Sequence, residues 1–284
     1  MDNQIADKPN RKHPRILVAD DTDVNQKIAQ LILQKAGYQV DVVDNGQQAL
    51  EACQQTLYDL ILMDIQMPIM DGHEATKRIR KWECGMRNSE ENRADSKSKI
   101  ERVPIIALTG SAGPGSFDET RYPGMNDCIG KPLQRDFLLS VVQKWIDAEP
   151  QTQAAENPAA ATPATDQRPA NDQLPLDLER ATQEFMGRKD ILLGVLQDFI
   201  ISAGARFDTI RQAVKGNDYR VIGSEAHAIK GAAANLTADK LARLASELEQ
   251  SADRQQPDLI SKLAGELERE FYNLEKYVQQ LPGV

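Results

Sequence analysis

The sequence has few of the features that mark membrane, secreted or nucleic-acid-binding proteins. No apolar run approaches the roughly 20 residues needed to cross a bilayer, and the leader, residues 1–14, is polar, unlike a signal peptide. The three cysteines are scattered, which favours reduced thiols over a disulfide framework or a zinc site. Acidic residues outnumber basic ones by 43 to 34, and the net charge of -9 argues against a nucleic-acid surface. These absences predict a cytoplasmic protein with neither membrane insertion nor a nucleic-acid partner.

Nucleotide-binding signatures and histidines are also scarce. The chain has neither a GxxxxGK[ST] loop nor the glycine-rich loop of a kinase, so we expect that it does not phosphorylate itself from ATP. Met1 and the polar leader favour a free-standing protein over a piece of a larger kinase. Of the three histidines, His13 and His73 are expected to be solvated, which leaves His227 as the candidate for chemistry.

The rest of the sequence falls into two parts joined by a segment with little capacity to fold. Residues 148–173 are rich in Ala, Pro, Gln and Thr and lack large apolar side chains, so burial cannot offset the entropy of ordering them. We therefore expect a flexible linker there, between a first domain at 15–147 and a second at 174–284. With 284 residues, 40% of them hydrophobic, the chain can bury a core in each domain.

The first domain alternates between strand-like and helical patterns. Five short runs rich in apolar and β-branched residues are separated by helical segments, and they lie at 15–19, 39–43, 59–64, 103–109 and 127–130. Right-handed crossovers then predict an α/β fold with a five-stranded, parallel, doubly wound sheet in the flavodoxin-like order 2-1-3-4-5. In such a sheet the ligand site lies at the carboxyl ends of the strands.

Polar side chains stand where four of these strands end. They are Asp20 and Asp21 after strand 1, Asp64 in strand 3, Thr109 in strand 4 and Lys131 after strand 5. An Asp-Asp pair alone is typical of a turn or a helix cap, so the prediction depends on the convergence. Three carboxylates in one crevice repel each other, and a hard cation such as Mg²⁺ relieves that repulsion. Lys131 and Thr109 can then supply a positive charge and a hydroxyl donor to a phosphoryl group.

Four motifs at these strand ends resemble the receiver domain of two-component response regulators. They are VADD (18–21), MDIQMPIMDG (63–72), ALTG (107–110) and IGKP (129–132). The resemblance covers 15–147 and implies that Asp64 accepts a phosphoryl group as an aspartyl phosphate. It also implies that Lys131, joined to Pro132 by a cis peptide bond, pairs with the phosphate and that Thr109 moves toward it. The implied Mg²⁺ ligands are Asp20, Asp21, Asp64 and the backbone carbonyl of Gln66.

Three features depart from the receiver pattern. Residues 83–102 form a polar stretch that is predicted to be an exposed loop. Residues 111–127 are rich in Gly and Pro, so the helix expected between strands 4 and 5 should be short or displaced. Cys128 stands where the family often carries a Tyr or Phe that moves with Thr109, so no aromatic switch is predicted.

The second domain has helical periodicity throughout. Apolar residues recur three and four positions apart over 192–214 and again over 260–281, with shorter helical segments between them. Asp218 and Thr237 are candidate N-caps of the two middle helices. The pattern predicts an all-α four-helix bundle with short connections, preceded by a short helix.

His227 lies in one of the middle helices, in the run SEAHAIKGAAANL (224–236). At 100° per residue it falls about 140° from the apolar stripe of that helix, so we expect it to face outward. Three small residues are expected on the same side of the helix as His227, namely Gly223, Gly231 and Ala234. They predict an uncrowded docking surface. The run resembles the histidine-containing phosphotransfer (HPt) domain. That resemblance implies that His227 is phosphorylated and that Lys230 assists the phosphoryl oxygens.

Together these patterns predict a phosphorelay intermediate. It would accept a phosphoryl group on Asp64 from a sensor histidine kinase or an HPt partner, and exchange phosphate through His227 with a receiver aspartate. Two alternatives stay open: a phosphohydrolase with Asp64 as nucleophile, and a scaffold that docks without phosphorylation. Gln66 counts against the hydrolase, because such enzymes carry a second acid at that position. Whether phosphate passes between Asp64 and His227 within one chain also stays open.

Overall fold

The computed structural model describes residues 13–88, 102–110, 118, 120–147 and 174–282. The linker predicted at 148–173 and most of the leader predicted at 1–14 lie outside these residues. The chain divides into two compact units, one organised around a sheet and one around helices. Among the described helices, none combines the length and the apolar stretch that crossing a bilayer requires.

The first unit contains a parallel sheet with the strand order β2-β1-β3-β4-β5. Its strands are β1 (Arg15–Ala19), β2 (Gln39–Val43), β3 (Leu60–Asp64), β4 (Ile105–Thr109) and β5 (Asp127–Gly130). Every residue of β3 and β4 is buried, as expected for inner strands of a sheet covered on both faces. The edge strand β2 is partly exposed along its length. The predicted α/β architecture and strand order are confirmed.

Four of these strands, β1, β2, β3 and β5, are each followed in the chain by a helix. They are α1 (Asp23–Lys35), α2 (Gly46–Gln55), α3 (Gly72–Asn88) and α4 (Arg135–Asp147). Helix α3 continues through the first part of the stretch predicted to be a loop from residue 83. Within it, Arg80 and Glu83 pair one turn apart, with 12% and 4% of their side chains exposed, so these charged residues face inward. Residues 89–101 lie outside the described part of the chain.

The segment between β4 and β5 is irregular where the structure describes it. Residues 120–124 form turns and bends, and residues 118, 125 and 126 have no regular secondary structure, in keeping with the Gly and Pro of this segment. The rest of the expected short helix, 111–117 and 119, lies outside the described residues.

The second unit is a bundle of helices. The described helices are α5 (Leu178–Glu184), α6 (Lys189–Gly216), α7 (Tyr219–Asn235), α8 (Asp239–Asp253) and α9 (Pro257–Gln279). The last four are long, lie next to one another in chain order and are joined by short connections, which makes neighbours antiparallel. Phe199 and Phe207 both pack against Phe271 in the core. The predicted four-helix bundle with a short preceding helix is confirmed.

The predicted caps of the middle helices have different outcomes. Asp218 caps α7, since its side chain accepts a hydrogen bond from the backbone N–H of Val221 at 3.2 Å. The prediction for Thr237 is wrong, because Ala238 occupies the N-cap position of α8. Thr237 has a positive φ of 59°, and its hydroxyl donates to the carbonyl of Asp177 at 2.8 Å. It therefore ties the chain before α5 to the α7–α8 connection instead.

Candidate functional site

Among the described residues, three carboxylates converge at the carboxyl edge of the sheet. One oxygen from each of Asp20, Asp21 and Asp64 lies within 4.8 Å of the others. The register of β1 on β3 pairs Ala19 with Met63, which brings the residues after β1 beside the end of β3. Asp20 and Asp64 are buried and Asp21 is partly exposed. We call this group, Asp20, Asp21 and Asp64, the acidic crevice.

The donor set of the acidic crevice fits a hard divalent cation. Carboxylate oxygens are the ligands that Mg²⁺ prefers, and at this separation the charges repel one another strongly in a partly buried setting. Gln66, the other predicted ligand, lies in the loop after β3, and its backbone N–H donates to Asp64 Oδ1 at 3.3 Å. That contact ties the backbone of Gln66 to the crevice.

The loop after β3 is fixed by close approaches of the backbone. The N–H of Gly72 donates to the carbonyl of Ile65 at 3.0 Å, and a Cβ on Gly72 would lie 2.1 Å from the carbonyl oxygen of Asp64. The N–H of Gly46, at the start of α2, donates to the carbonyl of Met70 at 3.0 Å. Between these attachments Ile69 has a φ of 68° and a side chain that is 85% exposed. The glycines thus allow the backbone to hold Asp64 tightly.

Thr109 and Lys131 occupy the strand ends expected of them. Thr109 is the last residue of β4, is 8% exposed and lies one residue beyond Leu108, the Cα partner of Asp64. Lys131 directly follows β5, and its bond to Pro132 is cis, as the resemblance implies. Both residues therefore belong to the strand ends at the edge that carries the acidic crevice.

Tyr122 is a neighbour of this site that the sequence analysis missed. Its hydroxyl donates to Thr109 Oγ1 at 3.4 Å in the protein interior. Its ring stacks on that of His73, with centroids 6.2 Å apart and planes 14° apart. His73, which was predicted to be solvated, is only partly exposed, and its Nδ1 atom is buried. The available signal was that Tyr122 is one of two aromatic residues in a run rich in Gly and Pro.

The bundle places a second cluster around His227. His227 Nδ1 lies 2.7 Å from Glu249 Oε1, and Lys230 Nζ donates to Glu249 Oε2 at 2.6 Å. The side chains of His227 and Glu249 are only 13% and 16% exposed. We call His227, Lys230 and Glu249 the imidazole cluster. The prediction of an uncrowded imidazole is wrong, because α8 contributes a carboxylate that contacts the Nδ1 edge of the ring.

Glu249 carries the negative charge of the imidazole cluster. Burial alone would raise the pKa of its carboxyl, but hydrogen bonds from His227 and Lys230 outweigh burial and hold that pKa below its ordinary value. Glu249 is therefore ionised at neutral pH and can only accept hydrogen bonds. It follows that in the neutral ring of His227 the proton is on Nδ1 and the lone pair is on Nε2.

The small residues of α7 do not all form a bare surface. A Cβ on Gly223 would lie 3.7 Å from the Cβ of Ala252, so Gly223 faces α8. The expectation that Gly223 belongs to an outer docking surface is wrong. Helical phase locates a residue on its own helix but does not reveal which neighbour covers it.

Two protein-family models match this chain, one in each of the two units. Residues 16–143 match the family model described as the response regulator receiver domain, and residues 194–281 match the Hpt domain model. The sensor protein GacS of Pseudomonas syringae pv. syringae is 32% identical over 219 residues, and the sensor histidine kinase GacS of Pseudomonas protegens is 32% identical over 224 residues. In each case the match covers 77% of this chain and 22% of the relative.

The chain thus spans less than a quarter of the length of these two relatives. Among solved structures, the receiver domain of the sensor histidine kinase PA1611 from Pseudomonas aeruginosa is 35% identical, with a TM-score of 0.37. That match covers 48% of this chain and 99% of the other. The two family matches account for both folded units, and the chain therefore contains a response regulator receiver domain followed by an HPt domain.

Proposed function

We propose that the chain is a phosphorelay intermediate that accepts a phosphoryl group on Asp64 and exchanges phosphate through His227. The observation that carries this proposal is the acidic crevice, which forms in the matched receiver domain of a chain that also has an HPt domain. These matched domains do not favour a phosphohydrolase.

At the receiver domain, an oxygen of Asp64 attacks the phosphorus of a phosphohistidine. The bond between phosphorus and the donor nitrogen breaks, and the imidazole leaves with the electron pair and recovers a proton from solvent. Lys131 pairs with the negative charge of the phosphoryl group, and the Thr109 hydroxyl donates a hydrogen bond to one of its oxygens. Burial of Asp64 strengthens these interactions by excluding water.

The acidic crevice would hold Mg²⁺ through Asp20, Asp21, Asp64 and the backbone carbonyl of Gln66. The all-oxygen donor set supports this assignment. A bound Mg²⁺ supplies positive charge that offsets the carboxylates and the phosphoryl oxygens.

At the HPt domain, the Nε2 lone pair of His227 attacks the phosphorus of an aspartyl phosphate. The acyl-phosphate P–O bond breaks, and the aspartate leaves as a carboxylate with the electron pair. Glu249 keeps the proton on Nδ1 and stabilises the positive charge that the ring acquires. Lys230, which lies one helical turn from His227, supplies positive charge near the phosphoryl oxygens.

The partners that this chemistry requires are proteins that carry phosphohistidine or an acceptor aspartate. We propose a sensor histidine kinase as the original donor, and other receiver or HPt domains as exchange partners. The sensor-kinase names of the relatives support this choice.

The proposal can be tested by labelling the full chain with Mg²⁺ and radioactive acetyl phosphate. We expect base-labile label on Asp64, which Asp64→Asn abolishes and chelation of Mg²⁺ reduces by at least about 100-fold. His227→Gln should retain this label but lose acid-labile label and onward transfer to a partner receiver. Asp44→Asn is a matched control, because Asp44 is an exposed carboxylate that follows the edge strand β2.

If Asp64→Asn and His227→Gln leave labelling and onward transfer unchanged, the relay proposal is wrong. Steady release of phosphate from small esters by the unmodified chain would instead support the hydrolase.

A further inference from the structure

The segment that leads into β5 carries a buried tyrosine beside the phosphorylation site. Tyr122 is 5% exposed, and its hydroxyl donates to Thr109 Oγ1 at 3.4 Å. Thr109 lies one residue beyond the Cα partner of Asp64. The side chain of Thr109 therefore lies between the tyrosine hydroxyl and the strand ends that carry the acidic crevice.

Several contacts hold this tyrosine in place against α3. Its ring stacks on His73, in the first turn of that helix. Two turns further along, Arg80 donates from Nε to the carbonyl of Gly124 at 2.8 Å and from Nη2 to Asn126 Oδ1 at 2.9 Å. The segment from Tyr122 to Asn126 is thus attached to the helix at both ends, which restricts the positions that the tyrosine hydroxyl can take.

We propose that Tyr122 is a positioning residue for phosphoryl transfer at Asp64, and that it acts through the hydroxyl of Thr109. A hydroxyl group has one proton to donate and two lone pairs that accept. When Tyr122 donates to Oγ1, the proton of Thr109 is directed away from Tyr122, where it can be donated to a phosphoryl oxygen. A hydroxyl that accepts one hydrogen bond is also a stronger donor of the next. This inference rests on the proposed function, because it concerns the same reaction.

A double-mutant cycle on the full chain tests the inference. Every variant carries His227→Gln, so that label from acetyl phosphate and Mg²⁺ stays on Asp64, and the rate of labelling is measured. We expect Tyr122→Phe to lower this rate about threefold to tenfold, the range for losing one hydrogen bond. In a Thr109→Val background, Tyr122→Phe should not change the labelling rate, because the hydroxyl through which Tyr122 acts is absent. In a Thr109→Ser background, which keeps the hydroxyl, the effect should persist.

The matched control is Tyr58→Phe. Tyr58 is also a buried tyrosine, but its hydroxyl donates to Asp41 on the edge strand at 2.8 Å. Its loss should leave the labelling rate within about twofold, even if thermal unfolding shows a loss of stability. Tyr122→Phe keeps the ring that stacks on His73, so we expect that variant to fold.

Three results would overturn the inference. The first is a labelling rate that Tyr122→Phe leaves unchanged. The others are a decrease in that rate as large as the one expected for Tyr122→Phe, either when Tyr122→Phe is made in the Thr109→Val background or when Tyr58→Phe is made instead. A parent chain that takes up no label on Asp64 under these conditions would overturn the proposed function itself, and this inference with it.

Discussion

In the receiver domain the backbone holds the reactive side chain, whereas in the HPt domain other side chains do. Asp64 ends a buried strand, and the backbone of Gly72 packs directly against its carbonyl group. His227 projects from a regular helix and is held by Glu249, which reaches it from the neighbouring helix α8. The first site should therefore be sensitive to added backbone bulk, and the second to the loss of a partner side chain.

The two sites also differ in how their charges are balanced. The acidic crevice brings three carboxylates together, and their repulsion calls for a cation from outside the chain. In the imidazole cluster one carboxylate accepts from both an imidazole and an ammonium group, so the charges largely balance within the protein. Chelation of Mg²⁺ should accordingly affect the receiver domain and leave the imidazole cluster intact.

The largest effect on stability is expected for Gly72→Ala. The new Cβ would meet the carbonyl oxygen of Asp64 at 2.1 Å, a contact that only a backbone shift can relieve. We expect a loss of about 3 kcal/mol in the free energy of unfolding, together with a loss of labelling at Asp64. Denaturant titration and acetyl phosphate labelling of the same variant measure both.

Gly85→Ala is the matched control on the same helix. A Cβ at that position would meet nothing within 4 Å, so we expect a gain of about 0.5–1 kcal/mol from helix propensity alone. Similar destabilisation by both substitutions would show that helix α3 tolerates no change, and that the Asp64 contact is not the cause.

The next largest effect is expected for Glu249→Ala. Without the carboxylate, the neutral ring of His227 should no longer hold its proton on Nδ1, and transfer through Nε2 should slow about tenfold. ¹⁵N chemical shifts of the imidazole report the tautomer directly, and transfer from a phosphorylated receiver reports the rate. Glu247→Ala, an exposed change on the same helix, should alter neither. An unchanged tautomer in Glu249→Ala would contradict the assigned role.

Glu249 also predicts a pH dependence of stability. Because its folded-state pKa is lowered, the carboxylate contributes stability that is fully present above its ordinary pKa of 4.5 and is lost as pH falls through the folded-state value. The stability difference between the natural chain and Glu249→Gln should therefore shrink as the pH falls from 4.5 through the folded-state value. A difference that grows over that range would reverse the assigned direction of the pKa.

The outcomes for Asp64 and His227 show what local sequence patterns can predict. The acidic crevice was predictable because the carboxyl ends of parallel strands meet at one edge, so residues far apart in sequence converge by topology alone. The contact between Glu249 and His227 was not predictable, because Glu249 lies on another helix whose rotation depends on the packing of the whole bundle. Tyr122 was missed for a different reason, because its segment has no periodic pattern from which the direction of a side chain could be inferred.

Helix α3 shows a different limit of the sequence patterns. Its last turns resemble a polar loop in sequence, but Glu83 pairs with Arg80 on an inward face. Only tertiary structure distinguishes such a pair from solvated charges.

The smallest effect that separates the two regions is expected at exposed isoleucines. Ile69, in the loop after β3, is 85% exposed and has a φ of 68°, which is unfavourable for a β-branched residue, whereas Ile201 on α6 is 74% exposed in regular helix. Ile69→Asn should stabilise the chain by about 1 kcal/mol, because asparagine adopts positive φ at lower cost. Ile201→Asn should instead destabilise it by a few tenths of a kcal/mol, about the difference in helix propensity. Denaturant titration of both variants compares them, and shifts of equal sign would mean that exposed apolar surface, rather than backbone conformation, governs both positions.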